Sequence, residues 1–230
     1  PRNNQKRKIL YLAKILLENT DSNHDMTLQE IIDQLAAYDV TAERKSLYDD
    51  LAQLDAFGIQ IKKTQYGKTY HCQVSNRDFE LAELKLLVDS VASAKFITEE
   101  KSNQLIKKIE HLASKQEASM LQRQVYVSGR VKSMNKDIME NVDAIHNAIA
   151  QNLKISFQYF QWNRKKEPEL RRNGERYIIS PWGLSWDDEN YYLVGYDSQA
   201  DMIKHYRVDK MGQVEVTVSP REGVKQFSQI

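Results

Sequence analysis

Apolar residues recur at helical spacing through the first sixty residues of the chain. In "KRKILYLAKILLEN" and "TLQEIIDQLAAYD" they fall three or four positions apart, the period of a helix with one buried face. Thr27 and Glu30 have the spacing of a capping box at the start of the second segment. The next segment, "RKSLYDDLAQL", carries Leu47, Leu51 and Leu54 on one face. The pattern predicts three amphipathic helices.

The third helix carries signals at both ends and is followed by a strand pattern. Thr41 is the predicted N-cap, and Gly58 stands where a left-handed C-cap is expected. After it, "IQIKKTQ" and "KTYHCQV" are β-rich and alternate in polarity around a "YG" turn, which predicts a hairpin. Three helices followed by a hairpin form a winged helix-turn-helix arrangement. We assign it to residues 1–78.

Residues 79–150 are predominantly helical by period and are interpreted as a connector or dimerisation region. Leu84, Leu87, Val88 and Val91 form a stripe that we expect to pack against the first domain or a second subunit. The segment "RQVYVSGRVKS" interrupts the helical period with β-branched residues, so it is predicted as a short strand or a loop.

Residues 151–230 change to short strand-like runs. The runs "KISFQYF", "RYIISPWGLSW", "NYYLVGY", "MIKHYRVD" and "QVEVTV" are joined by polar turns. Short strands at this spacing predict a small, strongly bent sheet or barrel. The whole chain is therefore predicted to be α+β.

Composition narrows the function classes. The net charge of +1 excludes a uniformly basic nucleic-acid binder but not a local basic patch. A single cysteine permits no internal disulfide and suits a reducing cytoplasm, where we expect the protein to act. No apolar run approaches the roughly 20 residues needed to span a bilayer. Because the chain begins at Pro1, we expect its start to differ from that of the gene product.

The front of the third helix and the hairpin carry the candidate nucleic-acid contacts. The N-terminal residues of a recognition helix face the base edges of the major groove, and basic residues on a wing can meet the adjacent backbone. Asp50 is expected to face sideways or inward and pair with a cation. Ordinary solvated charges are the competing interpretation, and the order of the elements favours DNA contact. The candidate residues are Arg44, Lys45, Ser46, Tyr48, Lys62, Lys63 and Lys68.

Metal and catalytic motifs are not found in the sequence. "DSNHD" begins like a calcium loop but lacks the glycine and the bidentate glutamate, and the histidines have no zinc spacing. There is no phosphate-binding glycine loop or nucleophile elbow. We expect no cofactor and no enzymatic activity. The charge run "WNRKKEPELRRNGER" is equally compatible with a solvated hairpin excursion and a nucleic-acid contact.

A second candidate site lies in the strand-rich region. His205 and Arg207 are two residues apart on a predicted strand and therefore share a face. Tyr192 and Tyr159 lie on other predicted strands, and Trp182 is near in sequence. A cation among aromatic rings can hold a phosphate and stack a base. The alternative is an arginine fixed by carbonyls, with tyrosines completing the core.

Two stretches resemble known families. "RKSLYDDLAQL" with Gly58 and the following hairpin resembles the winged helix-turn-helix domain of DeoR-type bacterial regulators. "SPWGL", Tyr191-Tyr192-Leu193 and "HYRVDKM" resemble the WYL domain, with tyrosine in place of the first signature tryptophan. Such regulators often continue into a further small domain, which we expect to be absent or cut away after Ile230.

The resemblance implies a function for each domain. It implies that the first domain binds double-stranded operator DNA. It implies that the WYL domain, with an Sm-like barrel, senses a nucleotide or single-stranded nucleic acid. Because symmetric operators are read by two-fold proteins, we expect a homodimer. The alternatives are an accessory nucleic-acid-binding module, for example in phage defence, and, as the least favoured, an enzyme.

Overall fold

A computed structural model describes residues 2–121, 132–163, 165 and 167–227. Among these, one compact unit takes residues 2–92 and 103–121, and a second takes residues 93–102 and those from 132 onward. No helix in the described ranges is long and apolar enough to cross a membrane.

The first unit opens with three helices and a small antiparallel sheet. Their burial follows the predicted apolar stripes, since Leu47, Leu51 and Leu54 are all buried in one core with residues of the first two helices. The sheet order is β1-β3-β2. The elements are α1 (Arg2–Asn19), β1 (Met26–Thr27), α2 (Leu28–Ala36), α3 (Arg44–Phe57), β2 (Ile61–Tyr66) and β3 (Thr69–Val74).

The helix ends in this unit confirm two predictions and correct one. The Thr27 amide donates to Glu30 Oε2 (2.7 Å) and the Glu30 amide to Thr27 Oγ1 (3.2 Å), which is the predicted capping box. Gly58 ends α3 at φ 111°, the left-handed conformation that glycine tolerates. Thr41 is not the N-cap. The backbone is still extended at Glu43, which is the N-cap position, so α3 begins only at Arg44, and no side chain caps it.

Three further helices follow: α4 (Leu81–Ser93), α5 (Glu99–Glu110) and α6 (Lys115–Leu121). Leu84 and Val88 of the predicted stripe pack with Ala113 and Leu121. Leu87 remains 38% exposed, so only part of the stripe is buried within this unit. Most of the predicted strand or loop "RQVYVSGRVKS" lies outside the described residues.

The second unit is a curled antiparallel sheet, a half-barrel, with one long helix packed on it. The sheet has the order β5-β4-β6-β7-β8, with β9 paired to β4. The inner face of the sheet and the apolar face of the helix share one core, which includes Ile145, Phe157 and Leu193. The elements are α7 (Ile138–Gln151), β4 (Leu153–Trp162), β5 (Pro168–Leu170), β6 (Tyr177–Asp187), β7 (Asn190–Asp197), β8 (Met202–Arg207), β9 (Met211–Pro220) and α8 (Val224–Phe227).

Candidate functional site

The front of α3 and the hairpin form one exposed surface in the first unit. Arg44 and Lys45 are exposed in the first turn, and the Tyr48 side chain follows on the same side. The Tyr48 ring meets the Tyr70 ring of β3 edge-on, with centroids 6.2 Å apart, and Lys63 Nζ of β2 lies 5.9 Å from its centroid. Tyr48 therefore joins the helix to the hairpin, and we call these five residues the helix–hairpin surface.

The three lysines of the hairpin do not share one side. Side chains alternate along a strand, so Lys62 and Lys63 point to opposite faces. Lys63 lies on the face toward Tyr48, whereas Lys62 lies opposite Gln73, whose side-chain amide donates to the Asp21 and Ser22 carbonyls. Lys68 is exposed in the turn between the strands. The structure thus brings Lys63 to the helix–hairpin surface and separates Lys62 from it.

Ser46 and Asp50 face the body of the unit, where both meet Lys8 of α1. Lys8 is 3% exposed, and its Nζ lies 3.1 Å from Ser46 Oγ and 2.7 Å from Asp50 Oδ2. Ser46 Oγ also donates to the Glu43 carbonyl (3.0 Å). The predicted pairing of Asp50 with a cation is confirmed. The Ser46 hydroxyl, one of the predicted DNA contacts, also helps to fix α3 against α1.

Arg44 is oriented by a residue that the sequence did not single out. Its Nη2 donates to Gln29 Oε1 on α2 at 3.4 Å, and Gln29 Nε2 donates to Asp33 Oδ1 at 3.0 Å. This chain of polar contacts runs between the first turn of α2 and the first turn of α3. The signal available in the sequence was the four-residue spacing of Gln29 and Asp33 on one helix face.

In the second unit, the Arg207 side chain forms an ion pair with the Asp209 carboxylate. Its Nε donates to Asp209 Oδ1 (3.0 Å) and its Nη2 to Asp209 Oδ2 (2.8 Å), with a further bond from Nη2 to Asn190 Oδ1 (3.1 Å). The hydrogen bonds with Asp209 raise the pKa of Arg207 above its ordinary value. Tyr192 is its cross-strand neighbour, and the Arg207 amide donates to Tyr159 Oη (3.2 Å). The guanidinium group predicted to bind a phosphate is therefore already bound to the Asp209 carboxylate.

Trp182 lies away from these residues and packs under the C-terminal segment. Its ring stacks on Phe227 with centroids 4.8 Å apart, and the Arg221 guanidinium lies 3.8 Å from its ring centroid. The indole N–H donates to the Glu222 carbonyl (2.8 Å). Proximity in sequence was a poor guide here, because β6 carries this ring to a different part of the unit. Trp182 is not part of the cleft described next.

Three tyrosines cluster at one end of the half-barrel. Ring centroids of Tyr206 lie 5.4 Å from Tyr159 and 5.8 Å from Tyr177. They border an open cleft of about 630 Å³, which we call the tyrosine cleft. Burial raises the pKa of Tyr159 and of Tyr206 above the ordinary value, so both phenols stay protonated. The lining residues are Tyr159, Arg171, Arg172, Tyr177, Ile203, Lys204, His205 and Tyr206.

The cationic side of the cleft comes from the charge run. That run forms a hairpin of β4 with β5 and then a turn, Arg171–Gly174, in which Arg172 and Asn173 both have φ 53°. The Gln158 side chain donates to the Gly174 carbonyl (2.8 Å) and holds the turn to β4. The Arg172 guanidinium consequently lies 4.3 Å from the Tyr177 ring centroid. Sequence reasoning missed both arginines as members of this site, although the dense charge was visible.

The described residues contain no group of three or more His, Cys, Asp or Glu side chains placed to hold a metal ion. The functional groups that line the tyrosine cleft are hydrogen-bond donors, guanidinium groups and aromatic rings. These groups can bind an anion or a planar ring.

Comparison with known proteins identifies the second unit. Residues 140–216 match the family model of the WYL domain, and they cover most of α7, all of β4 to β8 and the first six residues of β9. This part of the chain is a WYL domain. No curated protein matches the chain.

One solved structure to which the chain was matched is the proteasome accessory factor B/C (PafBC) of Arthrobacter aurescens. It is 15% identical, with a TM-score of 0.32 over 96% of this chain and 34% of that chain. The chain thus spans about a third of the length of that protein. A TM-score of this size supports no conclusion about fold or function.

Proposed function

We propose that this chain, whose residues 140–216 form a WYL domain, is a ligand-responsive transcriptional regulator that binds operator DNA. In this proposal residues 1–78, the first part of the first unit, form a winged helix-turn-helix domain of the DeoR type. The helix α3 is its recognition helix, and the hairpin of β2 and β3 is its wing. The protein acts by binding, without catalysis.

The helix–hairpin surface is the observation that carries this proposal. The buried face of α3 is apolar, and its exposed front turn presents Arg44 and Lys45 beside Tyr48. The contacts of Tyr48 with Lys63 and Tyr70 extend the surface onto the hairpin. If these charges were only solvated surface residues, contacts that join α3 to the hairpin would not be expected.

Each part of the surface has a role suited to its chemistry. Arginine can pair bidentately with guanine in the major groove, and Arg44 is held ready for it by Gln29. The positive end of the α3 dipole adds to the attraction for phosphate. In this proposal Lys63 and Lys68 on the hairpin contact the DNA phosphate backbone, which contributes affinity with little sequence preference.

The WYL domain is proposed as the sensor, with a nucleotide or a nucleic acid as the effector class. An effector changes DNA affinity only if it binds one arrangement of the protein better than another. A homodimer is the proposed functional form, because one winged domain covers a single half-site. Symmetry then lets a shift within each protomer alter the spacing of the two recognition helices.

The test measures binding of the full chain to DNA from the region upstream of its gene, by fluorescence anisotropy over a range of salt concentrations. Arg44→Ala is expected to cost about 1–3 kcal/mol on the specific site and to relax one base position. Lys63→Ala is expected to weaken all sequences similarly and to reduce the salt slope by about 0.9.

Lys107→Ala is the matched control, since Lys107 is an exposed cation on α5 in the same unit. It should change neither the affinity nor the salt slope. Unchanged operator affinity in Arg44→Ala would show that α3 is not the recognition helix. Equal losses in Arg44→Ala and Lys107→Ala would indicate charge-driven binding with no defined surface.

A further inference from the structure

We infer that the tyrosine cleft is a binding site for a nucleoside phosphate, held by Arg171, Arg172 and the Tyr206 hydroxyl rather than by Arg207. The ligand is either a free mononucleotide or the terminal nucleotide of a strand, and both offer the same phosphate and base. The inference deepens the proposed sensor role of the WYL domain and rests on it for its regulatory meaning.

Two cations of the cleft have no internal carboxylate. Lys204 Nζ is paired with Asp197 at 2.6 Å and is therefore already neutralised. In the described part of the chain, neither Arg171 nor Arg172 makes a side-chain hydrogen bond or an ion pair. Both are exposed at the edge of the cleft. Two guanidinium groups that line one cleft and form no ion pair of their own can together bind a phosphate group.

The Tyr206 hydroxyl is the second, independent observation. Tyr206 is 6% exposed, and its buried oxygen has no hydrogen-bond partner among the described residues. Buried polar groups are nearly always paired, so an exception calls for an explanation. Burial and then the Asp197 carboxylate raise its pKa most, and Tyr177, Arg172 and Tyr159, which line the cleft, also act on it. A ligand oxygen or ring nitrogen reaching this hydroxyl would supply the missing partner.

The size and aromatic lining of the cleft fit one nucleotide. The volume of about 630 Å³ lies in the range of small-molecule sites. The guanidinium of Arg172 already stacks on Tyr177, and its other face can stack on a base. Phosphate at the arginines, base against Arg172 and a polar edge toward Tyr206 would use every unpartnered group named here.

The experiment is isothermal titration calorimetry on the full chain. The probes are adenosine and uridine 5′-monophosphates, the two nucleosides, inorganic phosphate and a single-stranded hexathymidylate. The monophosphates are expected to bind at least about tenfold more tightly than the nucleosides or inorganic phosphate, because only they carry both a phosphate group and a base. Tighter binding of the hexathymidylate through the same arginines would identify a strand terminus as the source.

Variants locate the site. Arg171→Ala and Arg172→Ala are each expected to weaken monophosphate binding about tenfold. Lys136→Ala, at an exposed cation elsewhere in the same unit, should leave it unchanged. Tyr206→Phe should weaken binding about tenfold while the urea midpoint stays the same or rises, because an unpaired buried hydroxyl has been removed.

Three results would overturn the inference. One is the failure of every phosphate probe to bind. Another is binding that neither arginine variant weakens, and the third is a Tyr206→Phe variant that unfolds more readily yet binds normally. DNA affinity measured on the same preparations separates the two proposals. If the full chain binds no operator DNA, the proposed regulator function is refuted. The nucleotide titration would still show whether the tyrosine cleft binds a nucleoside phosphate.

Discussion

Replacement of Arg207 by alanine is expected to destabilise the WYL domain, because the side chain holds Asp209 in place. The guanidinium makes two bonds to the carboxylate and one to Asn190, which in turn donates to the Asp188 carbonyl (2.7 Å). These contacts connect β7, β8 and the turn after β8. Asp209 is 13% exposed and would lose its cationic partner within the fold.

The structure sets the size of the effect. Hydrogen bonds to charged groups contribute about 1.5–3 kcal/mol when buried. Arg207 is 34% exposed, so solvent screening reduces that figure. We therefore expect a coupling energy of about 1–2 kcal/mol between Arg207 and Asp209. The single variant Arg207→Ala should lose somewhat more, about 2–3 kcal/mol, since it also leaves a mostly buried carboxylate unpaired.

The assay is a double-mutant cycle of Arg207→Ala and Asp209→Ala in urea. All three tryptophans, Trp162, Trp182 and Trp186, lie in the second unit, so their fluorescence reports its unfolding separately from that of the first unit. The cycle isolates the pairwise term from other effects of each change. An unchanged urea midpoint in Arg207→Ala, together with a loss of nucleotide binding, would refute the structural role and restore Arg207 as a ligand residue.

Three further outcomes are expected. Gly195→Ala would place a Cβ 2.4 Å from Ile179 Cγ2 and should lower the stability of the second unit by about 1–3 kcal/mol in the same urea assay. Burial by itself would raise the pKa of Asp21, but hydrogen bonds led by that from Ser114 hold it below the ordinary value. The resulting stability is present above the unfolded pKa and lost as the pH falls through the folded one, so Asp21→Asn should flatten the acid end of a thermal denaturation series followed by circular dichroism. Light scattering of the full chain, with and without DNA, should give the mass of a homodimer.

The first unit shows why local signals predict elements better than contacts. The apolar period, the capping box and Gly58 are local, and each was confirmed. The side of α3 taken by Ser46 was not predictable in the same way. Its partner Lys8 is 38 residues away, and nothing in the sequence near Ser46 indicates a buried lysine. Thr41 is not the cap because the backbone is still extended at Glu43, two residues further on.

In the second unit the strands were predictable and the allocation of charges was not. Strand alternation placed His205 and Arg207 on one side of the strand. It could not show that the Arg207 guanidinium already forms hydrogen bonds with the Asp209 carboxylate. The signal was present as an acid two residues further on. Arg171 and Arg172 were hidden in a charge run, because only the turn after β5 brings them back to the tyrosines.

Photo-crosslinking from single positions tests the central claim most directly. A benzophenone side chain placed at Lys45 or at Lys68 should crosslink to operator DNA, because Lys45 lies on the helix–hairpin surface and Lys68 is exposed in the turn of the same hairpin. Phe57, 82% exposed at the other end of α3, is the control position on the same helix and should give no crosslink. Crosslinks from position 57 as strong as those from positions 45 and 68, or none from any of the three when DNA is bound, would contradict DNA binding through this surface.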